Sequence, residues 1–558
     1  MIKHTPFRSA SVFAIMLMPL AFSACKKSKV EPTKERNGQV SVPATGNTKQ
    51  TPTTNRVELS NDSVFLYAKE VYYWNAALPT YDEYLPRKYT NGGSNLNNYE
   101  NNLFNIGKIS GSPDYEPGYS SLKYSFIEDF NEANPQASVP NALAAVDTEG
   151  NGNDVGLRVE GYRTSETMPT VYSLFVTAVY PGSPAALAGV QRGWVIKKIN
   201  GQPYGANISS ELELAKNVIG NQSVTIEGTI YTGGVKGADF SKTLAKKSYK
   251  SSPVYKATTL TVGTKKIGYL AFARFSTLDN NTKAELDEAF AGFSTNGVKD
   301  LVIDLRYNSG GYINTAEYLI NLIAPSNTSG KVMFREYYNN TMRNGQAGIL
   351  INQPVTDING NLIYDRGLGR NLTQADDDYS PEAQSVSFSK KGSLGSVANV
   401  IFIVSDRTAS ASELVINSLK PFVNVKLVGE TTYGKPVGFF PIRIENRYDV
   451  LYAMFETKNS NGEGGYFNGM VPDYNAATSS ENGFFDNPFF EFGDVREGYL
   501  AKSVSVIPGT AGSSALAAAK NARMSIREES NTSVSAMVMV PSKRNSEFVG
   551  MIKTPGRR

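Results

Sequence analysis

The sequence predicts an α/β protein in which a core of strands and helices follows a β-rich module and a small helical N-terminal domain. Three observations carry this reading. From residue 265 onward, strand-like, largely apolar stretches such as Leu301-Val-Ile-Asp-Leu305 and Asn399-Val-Ile-Phe-Ile-Val404 alternate with helical periodicity, as a mostly parallel sheet covered by helices requires. Residues 156–201 carry short strand-like segments broken by glycine turns. Residues 57–144 are tyrosine-rich and helical in pattern. With 558 residues and 40% hydrophobic content, the chain is long enough for several cores.

In order from the N-terminus, Lys3, His4 and Arg8 precede the apolar run Val12-Phe-Ala-Ile-Met-Leu-Met18, and Ala21-Phe-Ser-Ala-Cys25 follows. Charge, apolar run and small residues in that order read as a secretory leader over residues 1–25. The small residues before Cys25 resemble the bacterial lipoprotein box, which implies that Cys25 becomes the lipidated first residue. The apolar stretch is shorter than the roughly 18–20 residues of a spanning helix. Cys25 is the only cysteine, so no disulfide framework, thiol nucleophile or cysteine metal site is expected in the globular part. His4 is the only histidine and lies in the leader, which excludes a Ser-His-Asp triad and histidine metal sites from the mature chain. The net charge of +4 falls further once Lys3 and Arg8 are removed, and gives no argument for nucleic acid as a partner. No metal and no cofactor is expected.

Residues 26–56 are polar, rich in Thr, Asn, Lys and Pro, and read as a flexible tether. The pattern Val64, Leu66, Tyr67, Val71, Tyr72, Trp74 predicts an amphipathic helix with Ser60, Asn61 and Asp62 as cap candidates, opening a helical domain over 57–145 in which nothing looks catalytic. Residues 146–250 form the β-rich module. Within it, Pro181-Gly-Ser-Pro-Ala-Ala-Leu-Ala-Gly189 and the strand text to Gly201 closely resemble the centre of bacterial PDZ domains, with Gly189, Gly193 and Gly201 at a helix end and tight turns. The resemblance implies a groove taking a peptide C-terminus by strand addition, its carboxylate held by N–H groups near Val155, Gly156 and Leu157. The alternative is a packing module with a closed groove.

Residues 251–492 form the α/β core. Strands are expected at Ile267–Phe275, Leu301–Leu305 and Asn399–Val404, and a helix over 281–293. Residues 334–391, with the turn Asn359-Gly360 and the acidic text Asp376-Asp-Asp378, are expected to form a lid or rim. Residues 493–558 are weakly patterned apart from a helical stretch at 515–524, and no role is assigned to them.

Thr408-Ala-Ser-Ala-Ser-Glu413, Gly434-Lys435, Asp304-Leu-Arg-Tyr-Asn-Ser-Gly-Gly311 and Gly469-Met-Val-Pro-Asp473 stand in the order and spacing of the bacterial C-terminal processing peptidases, or tail-specific proteases, which the chain resembles over about residues 156–473. The resemblance implies a ClpP/crotonase-like protease core joined to a PDZ-like domain, with Ser410 as nucleophile and Lys435 as general base. It also implies an oxyanion hole built from the N–H groups of Ala411 and of a glycine in the Gly310, Gly311 pair. Pro436 and Phe439 stand where many relatives carry glycine and glutamine, which leaves open the group that orients Lys435.

The chemistry calls for these residue types on its own terms. A serine hydroxyl is a weak nucleophile, and a lysine can take its proton only when burial lowers the amine pKa from about 10.4 towards about 7–8. Val437, Phe439 and Phe440 are placed to supply that apolar surrounding. A helix opening after Ser410 aims N–H groups at a developing oxyanion. The expected function is a cell-envelope serine endopeptidase acting near protein C-termini, its substrates protein or peptide chains with free C-termini. Contact with the membrane is expected through the lipid anchor alone, on the periplasmic face of a Gram-negative-type bacterium, since Lys26-Lys-Ser-Lys29 lacks acidic export residues. The second function class is a catalytically weak or inactive binding protein on the same scaffold.

Overall fold

The computed structural model describes residues 51–129, 146–163, 168–357, 361–478, 485–510, 538–539 and 550–553, all within one compact unit, Pro43–Arg558. Cys25, the leader, most of the tether and the helical stretch at 515–524 lie outside the described residues. No described helix is long and apolar enough to cross a membrane.

The helical part opens with α1 (Arg56–Val71), capped by Asn55, whose side chain accepts from the Val57 N–H at 3.0 Å. The expected caps lie inside the helix instead, because their side chains are needed for tertiary bonds. Asn61 Nδ2 donates to the Tyr89 carbonyl at 2.7 Å, and Asp62 accepts from the Tyr81 hydroxyl at 2.6 Å and from Arg87 at 2.7 Å. α2 (Asn95–Ser110) packs against α1, and the chain leaves through Tyr124 into β1 (Phe126–Asp129). Val64, Phe65, Val71, Tyr72, Tyr99 and Tyr124 join the same buried cluster as the core helices and strands, so this helical part is one wall of the main core.

The β-rich module is an antiparallel sheet of β2 (Leu157–Arg163), β3 (Tyr172–Val179), β4 (Val195–Ile199), β5 (Ser223–Thr232) and β6 (Val235–Ala245), side by side in that order. The short helix α3 (Pro184–Leu187) lies between β3 and β4, and α4 (Ile208–Ile219) buries Ile208, Leu212, Ala215 and Ile219 on the sheet. Gly189, Gly193 and Gly201 have φ of 76°, 93° and 79°, the left-handed conformation their turns require.

The core sheet runs β7 (Val254–Val262), β8 (Lys265–Phe272), β9 (Asp300–Asp304), β12 (Asn399–Val404), β13 (Asn424–Gly429) and β16 (Tyr474–Asn475), parallel from β8 onward. Its central strands are apolar in their middles, Leu301–Ile303 and Val400–Val404, because both faces are covered there. Leu301, Ile303, Val400 and Phe402 face the helices α5 (Lys283–Thr295), α6 (Ile313–Ile323) and α7 (Ala411–Leu419). Val302, Ile401, Ile403 and Val428 face α8 (Gly498–Ser505), which contributes Tyr499, Leu500 and Val504. The text after residue 492 therefore supplies a layer of the core, a contribution that the short, partly polar α8 sequence does not advertise.

Residues 334–338, expected in a lid or rim, belong to β11 (Val332–Tyr338), which pairs with β15 (Phe455–Asn459); β15 in turn pairs with β14 (Val437–Gly438). Between β9 and α6 the short strand β10 (Gly310–Tyr312) approaches the N-terminus of α7. Two pieces of the late chain are also strands, β17 (Val538–Met539) on the edge of β2 and β18 (Gly550–Ile552) beside β10.

Candidate active site

Ser410 sits where β12 hands over to α7, at φ 60°, a backbone conformation that side-chain-bearing residues avoid at a cost of about 1–3 kcal/mol. The surrounding loop overdetermines it. Thr408 Oγ1 donates to the Leu305 carbonyl at 2.8 Å, the Ala409 N–H to the Asn308 carbonyl at 3.2 Å and Ser412 Oγ to the same carbonyl at 3.0 Å. Asn308 also bonds outward: its Nδ2 donates to the Phe272 carbonyl and its Oδ1 accepts from the Gly310 N–H, both at 3.0 Å. The Ser410 side chain is fully buried, and its Oγ makes no hydrogen bond among the described residues, Lys435 Nζ included.

Lys435 is fully buried as well. Its position depends on Gly434, at φ 85°, where an added Cβ would lie 2.4 Å from the Gly469 N–H nitrogen. The ammonium nitrogen approaches the Tyr124 carbonyl at 3.3 Å and lies 4.5 Å from the centre of the Phe439 ring and 5.9 Å from that of Phe126. Burial pushes the amine pKa down from 10.5 to about 7, against the opposing pull of the Asp114 and Glu413 charges. Val437 and Phe440 are buried nearby in sequence, but Phe439 is the one of the three whose ring faces the nitrogen.

Glu413 ties the two residues together. Its Oε2 accepts from the N–H groups of Ser410 and Lys435, each at 2.8 Å, while Oε1 accepts from the Gly434 N–H at 2.8 Å and from Thr432 Oγ1 at 2.5 Å. Burial raises its pKa, and these bonds hold it back. The sequence signal for Glu413 is the Ser-x-x-Glu spacing of a capping box. Tyr124 acts through a backbone carbonyl, and no residue type marks that in a sequence.

Of the oxyanion candidates, Gly310 lies against the serine: an added Cβ would be 2.9 Å from Ser410 Cβ. Its own N–H is engaged by Asn308, so Gly311 and Ala411 are the candidates whose N–H groups are not given to that side chain. Val155, Gly156 and Leu157 lie together at the start of β2, far along the chain from the serine. The Gly156 N–H already donates to Asp154 Oδ1 at 2.6 Å, so a peptide carboxylate there would have to displace that side chain. The module nevertheless touches the loop that leads to Ser410: Glu160 on β2 takes Arg407 at 2.8 Å, Arg158 at 3.2 Å and Lys216 at 3.3 Å.

Residues 266–476 match the model of peptidase family S41, and residues 175–224 that of a PDZ domain. A "probable CtpA-like serine protease" of Staphylococcus aureus is 24% identical over 286 residues, 51% of this chain and 45% of its own length. Its Staphylococcus saprophyticus counterpart is 24% identical over 263 residues, 47% of this chain and 42% of its own. The chain thus spans a little under half the length of these curated relatives. A crystal structure of a Bacteroides fragilis chain assigned to the S41 proteases shares the fold, with TM-score 0.54 and 20% identity over 83% of this chain and 99% of that one. The chain thus carries a segment similar to the S41 peptidases after one similar to a PDZ domain, and over about half its length it is similar to CtpA-like serine proteases.

Proposed function

We propose that the chain is a serine endopeptidase in which Ser410 attacks the scissile carbonyl, Lys435 takes and returns the proton, and the N–H groups of Ala411 and Gly311 receive the oxyanion. The observation that carries this reading is a lysine buried to the point of losing its proton near neutral pH and clipped to the same carboxylate oxygen as the serine. The Tyr124 carbonyl and the Phe439 ring orient the amine in place of a glutamine side chain. The PDZ-like module captures substrate C-termini, and lipidated Cys25 holds the enzyme at the cell envelope.

One observation favours the second reading, a ligand-binding protein on this scaffold: Ser410 is sealed from solvent and not bonded to Lys435. A fluorophosphonate probe separates the two. The enzyme reading expects labelling that disappears in Ser410→Ala, together with cleavage of an unstructured protein. Absent labelling from a folded chain that still binds peptides would establish the binder.

A further inference from the structure

β18 lies between the two walls of the candidate active site and is hydrogen-bonded to both. On one side it runs parallel to β10, with Gly550 opposite Gly310, Met551 opposite Gly311 and Ile552 opposite Tyr312. On the other side the Phe439 N–H donates to the Met551 carbonyl at 3.1 Å, and the Lys553 N–H donates to the Phe439 carbonyl at 3.0 Å. The far edge of β10 is used by Phe275, whose N–H donates to the Gly310 carbonyl and whose carbonyl accepts from the Tyr312 N–H, each at 2.9 Å. Alternation along a strand therefore turns the Gly311 N–H towards β18. A Cβ added to Gly310 would lie 2.5 Å from the Gly550 carbonyl oxygen and 2.9 Å from Ser410 Cβ, so carbonyl, glycine and serine share one small space.

The side chains beyond Gly550 are also accommodated. Met551 is fully buried in the main core. Lys553 Nζ donates to Glu336 Oε2 at 2.6 Å, Gln384 Oε1 at 2.5 Å and the Tyr338 hydroxyl at 3.1 Å; the Glu336 side chain is only 4% exposed. Upstream, β17 adds to the edge of β2 in the antiparallel sense, Met539 opposite Tyr162, so the same late stretch of chain is held by the PDZ-like sheet too.

We infer that Gly550–Lys553 is an intramolecular substrate, and that the Gly550–Met551 peptide bond is a self-processing site whose leaving side is read by an apolar pocket for Met551 and a cation cradle of Glu336, Tyr338 and Gln384. The inference rests on the Ser410–Lys435 reading. In the reaction, Ser410 Oγ bonds to the Gly550 carbonyl carbon and gives its proton to Lys435 Nζ. The carbon–nitrogen bond breaks, and the Met551 nitrogen leaves as an amine with that proton. Water then attacks the Gly550 ester, passing a proton through Lys435 back to Ser410 Oγ and leaving a carboxylate on Gly550. The substrate class is an extended segment with glycine at the attacked carbonyl, an unbranched apolar residue next and a lysine or arginine two positions later.

The test is intact-mass spectrometry of the full chain, with fluorophosphonate labelling in parallel. The wild type is expected to release a fragment beginning at Met551, and folded Ser410→Ala to retain it. Lys553→Glu, which sets a carboxylate against Glu336, should slow release tenfold or more, and Glu336→Lys should restore it in the double variant. A chain whose Ser410 labels while residues 551 onward stay attached overturns the inference and leaves the peptidase reading standing. A chain that neither labels nor releases overturns both. Release at an unchanged rate from Lys553→Glu overturns the cation cradle as a determinant.

Discussion

Buried cations meet two different fates in this molecule. Where the PDZ-like module meets the core, Asp486 accepts from Arg192 at 2.6 Å and from Arg306 at 2.7 Å, and Arg306 also reaches Asp304 at 2.8 Å and Glu497 at 2.9 Å. Burial alone would lower the Arg306 pKa, but the carboxylates of Asp304, Glu497 and Asp486 reverse that and hold it well above the ordinary value. Burial would likewise raise the Asp486 pKa, and Arg192 and Arg306 carry it below the usual carboxylate range. At Lys435 the desolvation prevails, because the nitrogen faces a carbonyl and aromatic rings, and the charges of Asp114 and Glu413 only soften the shift. Equal burial thus yields fixed charge in the seam and a removable proton in the site. What distinguishes a structural cation from a base is the nearest oxygen: carboxylate or carbonyl.

The largest effect expected from this contrast is on Lys435→Met. Losing the proposed base should slow probe labelling of Ser410 by about 10²–10⁴-fold, while in the wild type labelling should rise with pH through about 7 and then level off. A labelling rate that climbs only near the free-lysine value of about 10.4 would show that the amine keeps its proton. The same substitution should stabilise the protein at low pH. The folded pKa of Lys435 lies below its unfolded value, so between them the unfolded chain binds the extra proton. Wild-type stability from this group is therefore fully present above about 10.4 and is lost as pH falls towards about 7. Denaturant melts should find Lys435→Met ahead by up to about 4 kcal/mol at pH 6, with the gap closing by pH 10. A gap that stays constant with pH would contradict a depressed amine.

The seam should respond in the opposite direction. Asp486→Ala takes from the buried Arg192 its carboxylate and from Arg306 one of three, and should destabilise by about 3–5 kcal/mol, read as a lower denaturant midpoint. A loss under about 1 kcal/mol would mean that the Phe490 and Thr177 carbonyls alone satisfy Arg192.

The two halves of this contrast differ in how far the sequence displays them. Strands β9 and β12 are legible because burial on both faces writes a largely apolar stretch, and the text around Ser410 and Lys435 stands out because its motifs resemble those of a family. The cap of α1 is misread for a local reason: Ser60, Asn61 and Asp62 look like caps but spend their side chains on Tyr89, Tyr81, Arg87 and Glu445. The orientation of Lys435 is hidden because it depends on a carbonyl at Tyr124, across a separation of 311 residues. β18 is hidden because three residues of strand carry no periodic signal, and their partners, Gly310–Tyr312 and Phe439, are known only once the chain has folded.

The smallest effect belongs to the link between the module and the loop that leads to Ser410. Burial would raise the Glu160 pKa, yet Arg407, Lys216 and Arg158 together hold it below the ordinary glutamate value. Removing one of three cations leaves the carboxylate compensated, so Arg407→Met should cost only about 1.5–3 kcal/mol, the scale of one hydrogen bond to a charged group. Arg407 also lies just before Thr408, whose hydroxyl fixes the loop on Leu305, and that anchor does not pass through Glu160. Probe labelling of Ser410 should therefore change by only a few-fold in Arg407→Met. A loss of stability as large as that of Asp486→Ala would show that Arg158 and Lys216 do not share the charge. A collapse of labelling without loss of stability would instead make the Glu160–Arg407 pair the connection through which strand β2 sets the nucleophile.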